Sequence, residues 1–170
     1  RGMFDKAEAH LQTAVDRITK NYTKPRDGEA YYYLGVCQRF MGKDTEAYKN
    51  LYQATWSYAF HSAAYFQLAQ IECSRGNYEL ALESLDRSLT TNANNNKARN
   101  LKSAVLRRLG NPSQALKVST EMMEYDRLDF GARFENYLTL KKLGKEQESA
   151  KERERLAAIV AQAHANGVTD

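Results

Sequence analysis

Three histidines, two cysteines and 21 carboxylates, spread over 170 residues, are the side chains here that could carry catalysis or hold a metal. His10, His61 and His164 are too far apart in sequence for a metal pair of the HExxH kind, whose ligands lie one helical turn apart. His61 precedes a helix-like segment among aromatic residues and reads as a loop histidine with one hydrogen bond. Cys37 and Cys73 are too few for a zinc module or a disulfide framework, and a thiol in an apolar segment acts as a small apolar residue. A nucleophilic cysteine needs a base and an electropositive setting, and neither is signalled. No GxGxxG or GxxxxGK[ST] loop and no GxSxG elbow occurs. The carboxylates alternate with cations, as Glu146 and Glu148 do among Lys145, Lys151 and Arg153, which is the pattern of a solvated helix face. The expectation is no catalytic residue, no metal and no organic cofactor.

Rings and cations are plentiful instead. The chain has 11 tyrosines, 6 phenylalanines and 1 tryptophan, densest between Tyr31 and Phe66. Tyr48, Tyr52 and Trp56 fall at i, i+4 and i+8, a stripe expected to be core between stacked helices. Net charge is only +4, but no acidic residue occurs between Arg87 and Thr120, a window that holds Lys97, Arg99, Lys102, Arg107, Arg108 and Lys117. With 2 prolines, 9 glycines, 42% hydrophobic and 27% charged residues, the composition is that of a folded chain with a core. No apolar run reaches the roughly 18 residues of a membrane span. The first ten residues lack a secretory leader's apolar stretch, and with the free cysteines this leans toward the cytoplasm. Neither a membrane nor nucleic acid is the expected partner.

The elements that carry these side chains repeat. Gly42, Gly76, Gly110 and Gly144 are spaced 34 apart, and each closes a helix-like segment. Five residues on stand Ala47, Ala81, Ala115 and Ser149, with Leu51 and Leu85 four residues after the first two alanines. A glycine just past a helix end takes the left-handed conformation freely. A small residue in the next helix then lets two helices approach closely. The predicted helices are 3–20, 29–41, 44–58, 62–75, 78–91, 96–109, 112–125, 130–143 and 145–164. Pro112 suits a first helical turn, with Asn111 as its N-cap. The last helix opens charged and ends apolar, so Leu156, Ile159 and Val160 are expected to dock inward.

At these positions the chain resembles the tetratricopeptide repeat. Counted from Gly28, the first repeat places Leu34, Gly35, Gly42, Ala47, Leu51 and Ala54 at the family's signature positions. The second, from Ser62, places Leu68, Ala69, Gly76, Tyr78, Ala81 and Leu85 there. The third, from Asn96, keeps Gly110 and Ala115 but has Lys102 and Ser103 where Leu-Gly is usual. The fourth, from Phe130, keeps Gly144. Gly2, Phe4, Ala7 and Leu11 reproduce the spacing of Gly76, Tyr78, Ala81 and Leu85, so residues 1–27 read as half a repeat plus a loop with six extra residues. Starting in mid-repeat at Arg1, the chain is expected to be part of a longer protein. The resemblance implies an all-α solenoid of antiparallel helix pairs, a right-handed superhelix. It would form a single array over 1–170 with repeats 28–61, 62–95, 96–129 and 130–163, the last acting as a C-terminal cap.

The family's first helices line a concave groove, at positions two, five, nine, twelve and thirteen of each repeat. Carried onto this sequence, the candidate binding residues are Tyr32, Arg39 and Phe40, then Phe66 and Gln70. Lys97, Asn100, Arg107 and Arg108 follow from the third repeat, and Phe134, Lys141 and Lys142 from the fourth. Position five supplies three rings and an amide; positions twelve and thirteen supply cations. Rings anchor a ligand and guanidinium groups grip carboxylates, although cations at helix C-termini also answer the helix dipole. The family's carboxylate clamp for chaperone tails is not reproduced: Tyr32 and Val36 occupy its Lys and Asn positions, and Lys97 matches alone. The resulting expectation is a non-catalytic scaffold that holds a protein segment, acidic and extended, or a neighbouring domain of its parent chain. The stretches WSYAFHSAAYFQLAQIEC and SLTTNANNNKARNLKSAVLRRLG are also similar to the repeat region of large bacterial proteins that carry a galactose-mutarotase-like β-sandwich. That resemblance implies a rigid appendage orienting a carbohydrate-active neighbour. Nucleic-acid binding through the basic third repeat is the remaining alternative.

Overall fold

The computed structural model describes residues 3–20 and 28–165. These form α1 (Phe4–Thr19), α2 (Glu29–Phe40), α3 (Asp44–Ala54), α4 (Tyr58–Ser74), α5 (Tyr78–Thr91), α6 (Asn96–Arg108), α7 (Pro112–Tyr125), α8 (Phe130–Lys142) and α9 (Glu146–Ala165). No strand occurs among the described residues. Gly2 and residues 21–27 of the inserted loop, both used in aligning the half repeat, lie outside them.

The four spaced glycines do what their spacing predicts. Gly42, Gly76, Gly110 and Gly144 have φ of 77°, 78°, 81° and 70°, a region that costs an L-residue about 1–2 kcal/mol. The amide after each glycine reaches back to a carbonyl of the preceding helix: Lys43 to Gln38 at 2.9 Å, Asn77 to Glu72 at 2.9 Å, Asn111 to Leu106 at 2.9 Å and Lys145 to Leu140 at 3.0 Å. This is the Schellman closure of a helix end. It turns the chain within three residues, so α2 folds back on α3, α4 on α5, α6 on α7 and α8 on α9 as antiparallel pairs.

Small residues set the spacing within each pair. Ala47, Ala81 and Ala115 are fully buried, as are Leu51 and Leu85. Gly35 of α2 abuts α3 so closely that an added Cβ would lie 2.6 Å from Leu51 Cγ and 3.1 Å from the Ala47 carbonyl oxygen. The third repeat keeps this packing with polar residues. Ser103 Oγ donates to the Ala115 carbonyl at 3.0 Å. Asn136 Nδ2 donates to Ser119 Oγ at 3.1 Å and Thr120 Oγ1 at 3.2 Å. Lys102–Ser103 thus departs from the usual Leu-Gly without leaving these buried groups unpaired.

The chain divides after Ala93 into two compact bodies. In the first, α1–α5 enclose a core of Ala47, Leu51, Tyr65, Leu68 and Ile71, flanked by Tyr32, Val36 and Tyr48. In the second, α6 and α7 pack together, α8 lies against both, and α9 closes the series.

Five local expectations are corrected in whole or in part. The expected helix 44–58 stops at Ala54, and the next starts at Tyr58 because Ser57 is extended (ψ 121°). Trp56 therefore lies in a turn, 67% exposed, and Tyr52 is 47% exposed. Ala47, Leu51 and Ala54 take the buried stripe of α3 and leave its neighbours at the rim, so of the proposed aromatic core only Tyr48 packs inward. His61 lies within α4, where Nδ1 meets the Thr55 carbonyl at 3.0 Å and the ring meets Tyr65 edge-on. Asn111 occupies the N-cap position but its side chain makes no capping bond, whereas Asn95 and Asp129 cap α6 and α8 by accepting from Ala98 N and Ala132 N. Of the last helix's apolar residues, Leu156 is buried, Ile159 half-buried and Val160 42% exposed.

Candidate functional site

The first helices stand side by side within each body, α2 with α4 and α6 with α8, and make one wall in each. The candidate residues therefore fall into two sets, Tyr32 to Gln70 on the α2–α4 wall and Lys97 to Lys142 on the α6–α8 wall.

On the α2–α4 wall, rings and polar groups are already engaged with one another. Tyr32 is half-buried against Tyr33 (5.3 Å between centroids) and Phe60 (5.2 Å), and Phe66 is half-buried. Arg39 Nη1 donates to Gln70 Oε1, and its guanidinium lies 5.4 Å from the Phe40 ring. Phe40 is 63% exposed and stacks on Phe4 of α1 at 5.9 Å.

On the α6–α8 wall the carboxylates are committed and the outer cations are not. Asp129 Oδ1 caps α8 and accepts from Asn100 Nδ2 at 3.2 Å. Glu135 pairs with Arg107 at 3.0 Å, each side chain less than one-fifth exposed. Lys142 Nζ donates to the Arg107 carbonyl at 2.8 Å. Lys97, Arg108 and Lys141 face solvent. Phe134 stays 43% exposed, stacked almost parallel on Phe130 at 6.5 Å with Tyr137 at 6.4 Å. Phe130, Phe134 and Lys141 share one face of α8, at i, i+4 and i+11.

Sequence reasoning missed Phe4, Phe60 and Phe130 as ring partners, and Glu135 as the counter-ion of Arg107. Phe130 stands one turn before Phe134 and could have been read from spacing. Phe4, Phe60 and Glu135 meet their partners only through packing between helices.

The basic window of the sequence is not equally basic in space. Arg87 pairs with Glu83 at 2.8 Å and also reaches Tyr65 Oη; Arg99 lies 3.8 Å and Lys117 4.0 Å from Glu121. Acidic residues outside the window fold back onto it.

The thiols are not poised for nucleophilic chemistry. Burial pushes both up, with Glu8 adding to the effect at Cys37 and Glu72 at Cys73. Cys37 Sγ donates to the Phe4 carbonyl at 3.3 Å. Among the described residues, no group of three His, Cys, Asp or Glu side chains is placed to hold a metal, and no helix is long and apolar enough to cross a membrane.

No family model matches the sequence, and neither does any curated protein. Solved structures do match the fold. A crystal structure of MamA superposes with a TM-score of 0.83 at 17% identity, over 96% of this chain and 92% of that one. A tetratricopeptide repeat protein from Parabacteroides merdae gives 0.82 at 22% identity, over 94% and 61%. YrrB, described as a tetratricopeptide protein with an unusual peptide-binding site, gives 0.73 at 17% identity, over 88% and 74%. At these identities the likeness shows the fold: an all-α solenoid of tetratricopeptide type.

Proposed function

We infer that this chain is a non-catalytic scaffold that holds an extended, acidic protein segment against the α6–α8 wall. The observation that carries the reading is the imbalance of that wall. Its carboxylates Asp129 and Glu135 are engaged internally, while Phe134 and the cations Lys97, Arg108 and Lys141 face outward. The remaining groove candidates, Tyr32, Arg39, Phe40, Phe66 and Gln70, lie on the α2–α4 wall of the other body, where Arg39 engages Gln70 and Tyr32 packs on Phe60. The YrrB comparison supports a peptide ligand in general terms, since a protein of the same fold is described as having a peptide-binding site.

The division of labour follows from magnitudes. An exposed ion pair contributes about 0.2–1 kcal/mol, so Lys97, Arg108 and Lys141 steer and orient the segment. A buried ring contributes roughly 1.5–3 kcal/mol, so Phe134 and Phe130 carry most of the affinity. Arg107 acts indirectly, because removing it frees the Glu135 carboxylate to repel an acidic ligand.

The test is an array of short acidic peptides, each with a single leucine, phenylalanine or tryptophan, followed by fluorescence anisotropy on the tightest binder. Phe134→Ala is expected to weaken binding more than Lys141→Ala. Salt raised from about 0.05 to 0.5 M is expected to weaken it only moderately, since screening acts on charges and not on rings. A binder indifferent to Phe134→Ala, Lys141→Ala and Arg107→Ala would place the contact elsewhere. An array with no binder would overturn the reading.

A further inference from the structure

The second body contains an ion-pair network with more cations than carboxylates. Arg133 of α8 and Glu152 of α9 pair at 3.1 Å, with side chains 14% and 8% exposed. The other edge of the Arg133 fork, Nε and Nη2, donates to the Arg127 carbonyl at 2.9 and 2.8 Å. The second Glu152 oxygen accepts from Arg155 Nη1 at 2.5 Å. One buried carboxylate thus answers two guanidinium groups, and each of its oxygens is taken. Arg133 and Glu152 suffice to tie α9 to α8. Arg155, 63% exposed, adds charge that this tie does not need.

The network also fixes the α7–α8 turn. Leu128 N donates to Asp126 Oδ1 at 2.8 Å, Asp129 N donates to the Asp126 carbonyl at 3.2 Å, and Arg133 holds Arg127 by its carbonyl. The Arg127 side chain is exposed and has no ion pair or hydrogen bond of its own. It lines a cleft of about 530 Å³ with Thr120, Met123, Glu124, Arg133 and Arg155. A neighbouring cleft of about 260 Å³ shares Thr120, Met123 and Arg155, and adds Lys151 and the apolar Leu116 and Leu140. Of the three carboxylates lining the two clefts, Glu152 is shared as above and Glu148 is paired with Lys145 at 3.1 Å. The third, Glu124, is exposed and forms no ion pair with Arg127, Lys151 or Arg155. With Glu148 neutralised by Lys145, the four cations Arg127, Arg133, Lys151 and Arg155 exceed Glu124 and Glu152 by two charges.

We propose that this cleft binds a phosphate monoester, gripped by Arg127 and Arg155 with Lys151 as an outer cation. Guanidinium forks take phosphate oxygens in bidentate pairs. Two forks and an ammonium offer more donors than the two oxygens of one carboxylate accept in such pairs. A phosphate monoester brings three acceptor oxygens and a charge of about −1.5 to −2, which matches the local surplus. The phosphate comes either on a phosphorylated side chain of a protein or on a small organic molecule, and competition separates the two. The site shares neither Phe134 nor Lys141 with the α6–α8 wall, so the failure of either proposal leaves the other intact.

The test uses the full chain with phenyl phosphate as the probe, followed by broadening of its phosphorus resonance. Saturable broadening is expected. Arg127→Gln is expected to weaken binding about tenfold or more. That substitution keeps the carbonyl held by Arg133 and removes a side chain without a partner, so the fold is expected to be unaffected. Lys49→Gln on α3, in the first body, is expected to change nothing. Phenylglyoxal labelling read by mass spectrometry gives a second readout: the probe should shield Arg127 and Arg155 and leave the exposed Arg153 of α9 reactive. A phosphoserine peptide that displaces the probe at lower concentration than glycerol phosphate assigns the site to a phosphorylated protein, and the reverse order assigns it to a small phosphate ester. Absent broadening, binding unaltered by Arg127→Gln, or shielding of Arg153 equal to that of Arg127 would each overturn the proposal. So would a glutamate peptide that competes as well as the phosphoserine peptide, because the site would then read carboxylates.

Discussion

Gly35→Val tests the helix-pair packing of the first repeat. A Cβ at Gly35 would lie 2.6 Å from Leu51 Cγ and 3.0 Å from its Cδ2, and Leu51 is fully buried. Overpacking of this kind costs about 1–3 kcal/mol, while replacing a helical glycine by valine returns only a few tenths of a kcal/mol in propensity. The net expectation is a loss of roughly 1–3 kcal/mol. Leu51→Ala alone leaves a cavity and is expected to cost about 2–5 kcal/mol. Combined, the valine methyls enter the space the leucine vacates, so the double variant should lose less than the sum by about 1–2 kcal/mol. Urea denaturation followed by circular dichroism at 222 nm measures all four corners of the cycle. Additivity within about 0.5 kcal/mol would refute the Gly35–Leu51 contact and with it the register of α2 on α3.

Other perturbations give sharp contrasts. Gly110→Ala is expected to cost about 1–2 kcal/mol purely through its φ of 81°, since nothing lies within 4 Å of the added methyl; a neutral or stabilising result by the same denaturation assay would contradict the left-handed turn. Asp129→Ala should cost about 0.5–2 kcal/mol through loss of the α8 cap, while Asn111→Ala, whose side chain caps nothing, should be close to neutral. The Glu8 carboxyl is held below its ordinary value of 4.5, chiefly by its hydrogen bond from Lys43. Its contribution is therefore present above pH 4.5 and fades as pH falls through the lowered folded value. The stability gap between the parent and Glu8→Gln should narrow in acid, and a gap unchanged between pH 7 and pH 3 would contradict this.

The repeat was legible because its signals are covalent facts: a glycine every 34 residues and a small residue, alanine or serine, five residues later. Backbone conformation at those glycines and close approach at those alanines follow from local sterics, so type and spacing suffice. Ala30, Ala64, Ala98 and Ala132 carried the same period into the fourth repeat and were readable too. The α3–α4 boundary was less legible, because Thr55–Trp56–Ser57 contains neither glycine nor proline. The site was only half legible. Helical spacing places Phe134 and Lys141 on one face, but nothing in it reveals that Glu135 neutralises Arg107, 28 residues away, or that Gln70 engages Arg39. Such pairs depend on the offset between neighbouring helices, which is set by packing.

Hydrogen exchange of the chain with and without its tightest acidic array peptide tests the scaffold reading most directly. Bound peptide is expected to slow exchange in α6 and α8, with the strongest effect around Phe134, and to leave α7 and α9 unchanged. Protection confined to α7 and α9, or to neither wall, would contradict it.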